Sequence, residues 1–191
     1  MKQKKGNAGY ISSKKKRAIL KTVLEFGIVV ALLILGIVET GDRMNWLTLV
    51  AVLGCLPASK AMVELIMIAP HKSILPERAT EIDSKTELLT VAYDLVMTSE
   101  NHIMPIDVIV ISNNTICGYS SSIKIDFVFA NKHVKQMLNA NKFDHLTVKI
   151  FDNYTAFLTR AEGLQNIAAV EKLDTKQREE NIKQVLLNIS L

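Results

Sequence analysis

Residues 22–38 read TVLEFGIVVALLILGIV, seventeen residues with one charge, Glu25, close to the start. Extended back to Ala18, the apolar run reaches about 20 residues, enough at about 1.5 Å per residue to cross a hydrocarbon core of about 30 Å. A cleaved signal peptide fits less well. The run is too long for a signal core, and Val38-Glu39-Thr40-Gly41-Asp42 offers no small-x-small cleavage site. The stretch is therefore read as a signal anchor.

A polar turn follows at Glu39–Asn45, then Trp46, a residue that favours the headgroup level. Leu47–Ala69 is 23 residues, long enough for a second crossing, with Pro57, Lys60 and Glu64 inside it. Pro57 predicts a kink. A rival reading ends the membrane helix near Pro57 and lays residues 58–69 along the interface. The expected layout is a basic cytoplasmic tail (1–17), a transmembrane helical hairpin (18–70), a linker with a short helix (71–87) and a soluble α/β domain (88–191).

Charge sets the orientation. Eight basic and no acidic residues lie in Met1–Lys21, whereas 71–191 carries 13 Lys and Arg against 15 Asp and Glu. The net charge of +4 thus belongs to the tail. A mildly acidic domain lacks the footprint that a phosphate backbone requires, so nucleic acid is not an expected partner. The positive-inside rule puts both termini in the cytoplasm, in the cell (inner) membrane. Lys14, Lys15, Lys16 and Arg17 are expected to contact anionic lipid headgroups, although setting topology alone would also account for them. With that placement, the acceptor-like triplets at Asn113, Asn153 and Asn188 are chance matches to glycosylation sites.

Glu25, Lys60 and Glu64 form an intramembrane polar set. Ionisable groups inside a span are costly and point to function: a small-ligand or headgroup site, or an oligomer contact. The plainer reading is that Lys60 neutralises Glu25 and Glu64 within the hairpin, snorkelling as it does so.

Beyond Pro70 the pattern is that of a globular chain. Pro76-Glu77-Arg78 suits a helix first turn. Strands are read at Leu88–Thr98, Ile103–Ser112 and Thr115–Ser121, separated by Ser99-Glu100-Asn101 and Asn113-Asn114 as turns, and form an antiparallel meander. The period then changes: Phe127, Ala130, Val134, Met137, Leu138 and Asn141 mark a helix over Asp126–Asn141. Leu146–Phe151 is a fourth strand. Tyr154, Phe157, Leu158, Ala161, Leu164 and Ala168 stripe another helix. Asp174-Thr175-Lys176-Gln177 resembles a capping box, opening a last helix striped by Ile182, Val185, Leu186 and Ile189. The expected fold class is α/β, an α-βββ-α-β sandwich with two additional C-terminal helices.

That order, with Met104-Pro105-Ile106-Asp107-Val108-Ile109-Val110 on the second strand, resembles the core of the restriction-endonuclease-like superfamily. The resemblance implies Asp107 as a metal carboxylate at the opening of that strand. The third strand, Ile116-Cys117-Gly118-Tyr119-Ser120-Ser121-Ser122, lacks the Glu-x-Lys pair that completes such a site, so the resemblance implies a catalytically dead version. The plainer reading of Asp107 is a polar residue at a strand edge. Leu56-Pro57-Ala58-Ser59-Lys60, between two spans and ahead of an α/β domain, also resembles a family of uncharacterised bacterial two-span membrane proteins. That likeness implies no known activity.

Other chemistry is missing from the sequence. There is no glycine-rich phosphate loop and no Gly-x-Ser-x-Gly elbow, and Ser120-Ser121-Ser122 reads as a strand end. Cys55 and Cys117 have no partner at metal or redox spacing. His102, His133 and His145 are isolated, with His133 read as part of a solvated face beside Lys132 and Lys135. No cofactor is expected. The leading expectation is a membrane-anchored cytosolic interaction or regulatory module, with an unidentified protein partner and a possible homo-oligomer. The alternatives are a divergent metal-dependent nuclease around Asp107 with Asp94 or Asp126 as substitute ligands, and a membrane-embedded sensor or transport component using Glu25, Lys60 and Glu64.

Overall fold

The computed structural model describes residues 3–41, 45–99, 102–171 and 175–191. Six helices and one four-stranded sheet occur among them. In chain order they are α1 (Tyr10–Thr40), α2 (Trp46–Ile68), α3 (Pro76–Lys85), β1 (Thr90–Ser99), β2 (His102–Ser112), β3 (Thr115–Tyr119), α4 (Phe127–Ala140), β4 (Thr147–Phe151), α5 (Tyr154–Glu171) and α6 (Lys176–Ile189). The chain is mixed α/β. The capping box read from Asp174 lies partly outside the described residues.

The chain divides into two compact units, Ile11–Lys72 and a second made of Met1–Tyr10 with Ser73–Leu191. The helical unit is an insertion in the chain of the α/β unit, a division that composition did not suggest. The residues read as one basic tail are shared out. Gly6 joins the sheet unit, while Lys14–Arg17 lie within α1.

Within the helical unit α1 and α2 pack antiparallel. Ile11, Ala18, Thr22, Val29 and Gly36 are buried on α1, and Ala51, Ala58, Ala61 and Ile68 on α2. These positions fall on a heptad-type spacing, which keeps one seam of each helix facing the other. Small side chains let the backbones approach closely. A Cβ on Gly36 would meet Asn45 Oδ1 at 2.7 Å, and one on Gly54 would meet Val29 Cγ2 at 3.2 Å. Asn45 caps α2, its Oδ1 accepting from the Thr48 amide at 2.8 Å. α2 continues unbroken through Pro57 to Ile68, so it is one helix and does not end near Pro57.

In the α/β unit the sheet order is β1-β2-β3-β4. β1, β2 and β3 are antiparallel neighbours, and β4 lies parallel to β3 after the α4 crossover. Apolar residues bury both faces. Ile82, Phe157, Ala161 and Leu164 from α3 and α5 meet Tyr93, Val108, Val110 and Cys117. Ala130, Val134, Leu138, Ile182 and Leu186 from α4 and α6 meet Leu95, Met97, Ile106, Ile109 and Ile111.

Midway along the β1–β2 ladder the two strands change phase together. On β1, Ala92 belongs to the α4/α6 face and Tyr93 to the other, yet Leu95 and Met97 return to the α4/α6 face. On β2, Met104 and Ile106 share that face with Ile109 and Ile111, which differ from them in parity. Strict alternation would forbid both. Tyr93 pairs with Val108 and Leu95 with Ile106, so the switch falls at the opposed residues Asp94 and Asp107. Asp94 adopts φ 57°, a left-handed conformation that Asp tolerates better than most residues. Its Oδ1 accepts the Ile74 amide at 3.0 Å.

The free edge of β1 is covered from both ends of the sequence. Tyr93 N–H donates to Gly6 O at 2.8 Å, and Leu191 N–H donates to Val96 O at 2.8 Å. Lys5 Nζ donates to Ser190 O at 2.6 Å, tying the two segments together. Covering part of an edge in this way hinders intermolecular pairing. Gly6 has φ +91°, and an added Cβ would meet Leu187 Cδ2 at 3.0 Å. Gly6→Val should therefore destabilise the α/β unit by about 1–2 kcal/mol. Hydrogen exchange should show the Tyr93 amide losing protection ahead of the β2 and β3 amides.

Buried Glu179 joins three elements. Its carboxylate accepts from Thr90 Oγ1 (2.8 Å), the Asn113 amide (2.9 Å) and Thr175 Oγ1 (2.9 Å). Glu179→Ala should cost about 1–3 kcal/mol in a thermal melt by orphaning the Asn113 amide, and Glu179→Gln should recover part of that loss.

Candidate functional site

α1 and α2 are each long and apolar enough to cross a membrane, and only 17% of the most apolar stretch of each is buried. Leu24, Ile28, Ile34, Leu35, Val52, Leu53 and Ile66 are among their exposed side chains. A core helix of a globular domain would bury such residues on every side.

The polar set read from the sequence is not gathered in one place. Glu25 lies on the seam, its side chain 22% exposed, and pairs with Lys21 one turn earlier at 3.9 Å. Its Oε2 and the neighbouring Thr22 Oγ1 are enclosed with no hydrogen-bond partner among the described residues. Lys60 and Glu64 are both exposed on α2 and form no ion pair with Glu25 or with each other. Among the described residues the ion-pair contact of Glu25 is thus with Lys21.

The basic run is also divided. Lys15 Nζ donates to Ala69 O at 2.5 Å, satisfying a carbonyl just past the end of α2. Arg17 Nε donates to Ser13 O at 3.2 Å, and Lys16 is exposed. His71 lies close by. Burial, together with the positive charge of Lys15, holds its imidazole below the usual histidine range, and its Nε2 is enclosed without a partner.

In the α/β unit Asp107 sits midway along β2, an interior strand, and neither opens the strand nor lies at its edge. Its Oδ2 accepts the Ser121 amide at 2.9 Å. Burial raises the Asp107 carboxyl above the ordinary range, reinforced by the carboxylate of Asp94 opposite. The bonds from Ser121 and the charge of Arg78 offset only part of the rise. Ser120 Oγ donates to Pro105 O at 2.5 Å, so this serine latches the end of β3 to β2. Asp126 caps α4, accepting the Phe129 amide at 3.0 Å. Among the described residues no group of three or more His, Cys, Asp or Glu side chains is placed to hold a metal ion.

A network that the sequence reading missed surrounds this place. Arg78 Nη1 donates to Tyr119 Oη at 3.2 Å, and its guanidinium lies 4.7 Å from the centroid of the Tyr154 ring. Tyr154 Oη donates to Glu81 at 2.7 Å, and Lys85 bridges Glu81 and Glu162 at 3.4 and 2.7 Å. Tyr93 Oη donates to Asp83 at 2.6 Å. These bonds fasten α3 to α5 and the sheet. The one available signal was the spacing of Arg78, Glu81 and Lys85, which puts them on adjoining positions of a helix. His133 is buried, not solvated: its ring stacks in parallel with Phe129 at 6.0 Å, and Phe129 stacks on His102 at 4.2 Å. Cys55 is exposed on α2 and Cys117 is buried in β3.

No protein-family model, curated protein or solved structure matches the chain.

Ionised Asp107 is a cost to the fold. Because its folded-state pKa is raised, that cost is absent below the ordinary aspartate range and grows as pH rises through the raised value. Asp107→Asn keeps an oxygen for the Ser121 amide. The variant should be more stable than the parent at pH 7, on the order of 0.5–1 kcal/mol, with the gap closing toward about pH 4. Mg²⁺ or Mn²⁺ should leave both melting temperatures unchanged. A rise specific to the parent would show that Asp107 helps to hold a metal.

Proposed function

We propose that the chain is a membrane-anchored interaction or regulatory module. The α1–α2 hairpin spans the cell membrane, and the α/β unit faces the cytoplasm, where it engages a protein partner. Lys14, Lys16 and Arg17 lie against anionic headgroups. The basic excess before the first span and the near absence of basic residues between the spans support that orientation.

The observation that carries the reading is where the α/β unit leaves apolar groups uncovered. Its exposed apolar side chains include Ile123 at 100%, Val170 at 83%, Val128 at 79% and Ile103 at 54%, and of these Ile103, Ile123 and Val128 lie near one another in sequence or beside α4. Ile103 and Val128 adjoin the stacked pair His102–Phe129, and Ile123 shares a small hollow of about 280 Å³ with Phe127, Ser120 and Asp152. Where exposed apolar side chains join into one patch rimmed by polar groups, they mark a protein-binding surface.

The test is affinity capture of the tagged full chain from its native membrane in mild detergent, beside an Ile123→Ser/Val128→Ser variant. The full chain is needed because residues 5 and 6 complete the β1 edge. A partner set held by the parent and depleted about tenfold or more by the variant supports the module. An identical set, or none, removes this surface as its basis.

A further inference from the structure

We propose that α2 packs against α2 of a second copy of this chain, joined by reciprocal ion pairs from Lys60 of each copy to Glu64 of the other. The inference rests on the membrane reading above, because charges facing water would need no partner.

α1 occupies only one face of α2, the one carrying Ala51, Ala58, Ala61 and Ile68. A second stripe runs beside it: Trp46, Val50, Leu53, Pro57, Lys60, Glu64 and Met67. Every member is exposed, and the spacing alternates four and three residues from end to end. That spacing suits a helix–helix seam, and what sets this stripe apart from the other exposed positions of α2 is that it carries both charges of the helix. Its only charges are Lys60 and Glu64, one of each sign, and neither has an ion-pair or hydrogen-bond partner among the described residues.

Lipid is a poor neighbour for this stripe. Lys60 can bend toward the headgroups, but the shorter Glu64 side chain reaches less far, and an unpaired carboxylate in hydrocarbon is strongly disfavoured. A second copy removes both difficulties at once. Copies inserted with the same orientation are related by a two-fold axis along the membrane normal, so a residue on one α2 lies level with its counterpart on the other. Lys60 then sits about 6 Å along the axis from Glu64 of the other copy, within reach of its side chain. The two-fold repeats the pair with roles exchanged, as an isologous contact requires. An uncharged or singly charged partner helix would leave at least one of the two groups unmatched.

The experiment uses full-length chains bearing two different tags, co-expressed and captured through one tag from membranes in mild detergent. Lys60→Glu gives a stripe with two acids, and Glu64→Lys a stripe with two bases. Each variant should repel its own copies, and co-capture should fall about tenfold below the parent. Co-expressing the two variants with each other re-forms both pairs, and co-capture should return to within about twofold of the parent. A contact confined to one chain cannot be rescued in this way. If the single variants are degraded, recovery of both on co-expression supports the pairing, and failure to recover overturns it. Absence of self-capture by the parent, wild-type self-capture by either variant, or a mixture no better than its components also overturns it. Alkaline extraction of the same membranes keeps the two readings apart. Release of the parent chain refutes membrane anchoring, whereas retention without charge dependence refutes only the pairing.

Discussion

The exposed edge of β1 must be covered, and the segments that cover it come from opposite ends of the sequence. Gly6 takes the Tyr93 amide, and Ser190 and Leu191 take the stretch around Val96 and Met97. A bare strand edge offers unpaired amides and carbonyls to any other chain, and the short N-terminal segment removes part of that hazard. It also means that the residues preceding the first apolar helix belong to the sheet unit. The helical hairpin therefore leaves and re-enters a single folded body, with Tyr10 on one side of the insertion and Ser73 on the other. Glu179 does comparable work at the other end of β1, where a buried carboxylate satisfies a strand hydroxyl, a hairpin amide and a helix-cap hydroxyl together.

Much of this was readable from the chain because it depends on local pattern. The apolar runs, the switch from strand to helical period after Ser121, and the turn residues Asn113 and Asn114 announce a mixed α/β chain with two long apolar helices, although α1 begins at Tyr10, eight residues before the expected Ala18. What was not readable depends on distant partners. Nothing in Lys5-Gly6 announces a strand partner, because a single bridge has no periodicity. The assignment of Lys15 to the Ala69 carbonyl required knowing which helix faces are buried. His133 looked solvated from its lysine neighbours in sequence, but a helix turns each side chain about 100° from the next, and Phe129, four positions earlier, was the relevant neighbour.

The pair Asp94 and Asp107 is instructive for the same reason. Read alone, Pro-x-Asp followed by aliphatic residues resembles a metal-binding strand. In the fold, the two residues occupy opposed positions of the ladder where both strands exchange their inward and outward faces. Polar residues are tolerated there because neither face is continuous at that point. Asp94 uses its carboxylate to hold Ile74, and Asp107 uses its own to hold Ser121. The chemistry of the pair is accounted for by backbone geometry, with Arg78 supplying nearby positive charge.

The short stretch around Gly6 shows how little backbone is needed to occupy a strand edge. The Asn7 amide bonds Lys4 O at 3.2 Å and the Tyr10 amide bonds Asn7 O at 3.2 Å, so the segment that meets Tyr93 is itself folded into tight turns. Gly6 meets β1 through an isolated bridge, without a ladder of neighbours on either side. A backbone bond of this kind is worth only about 1 kcal/mol, so the turns that pre-shape the segment, more than the bridge itself, keep Gly6 at the edge.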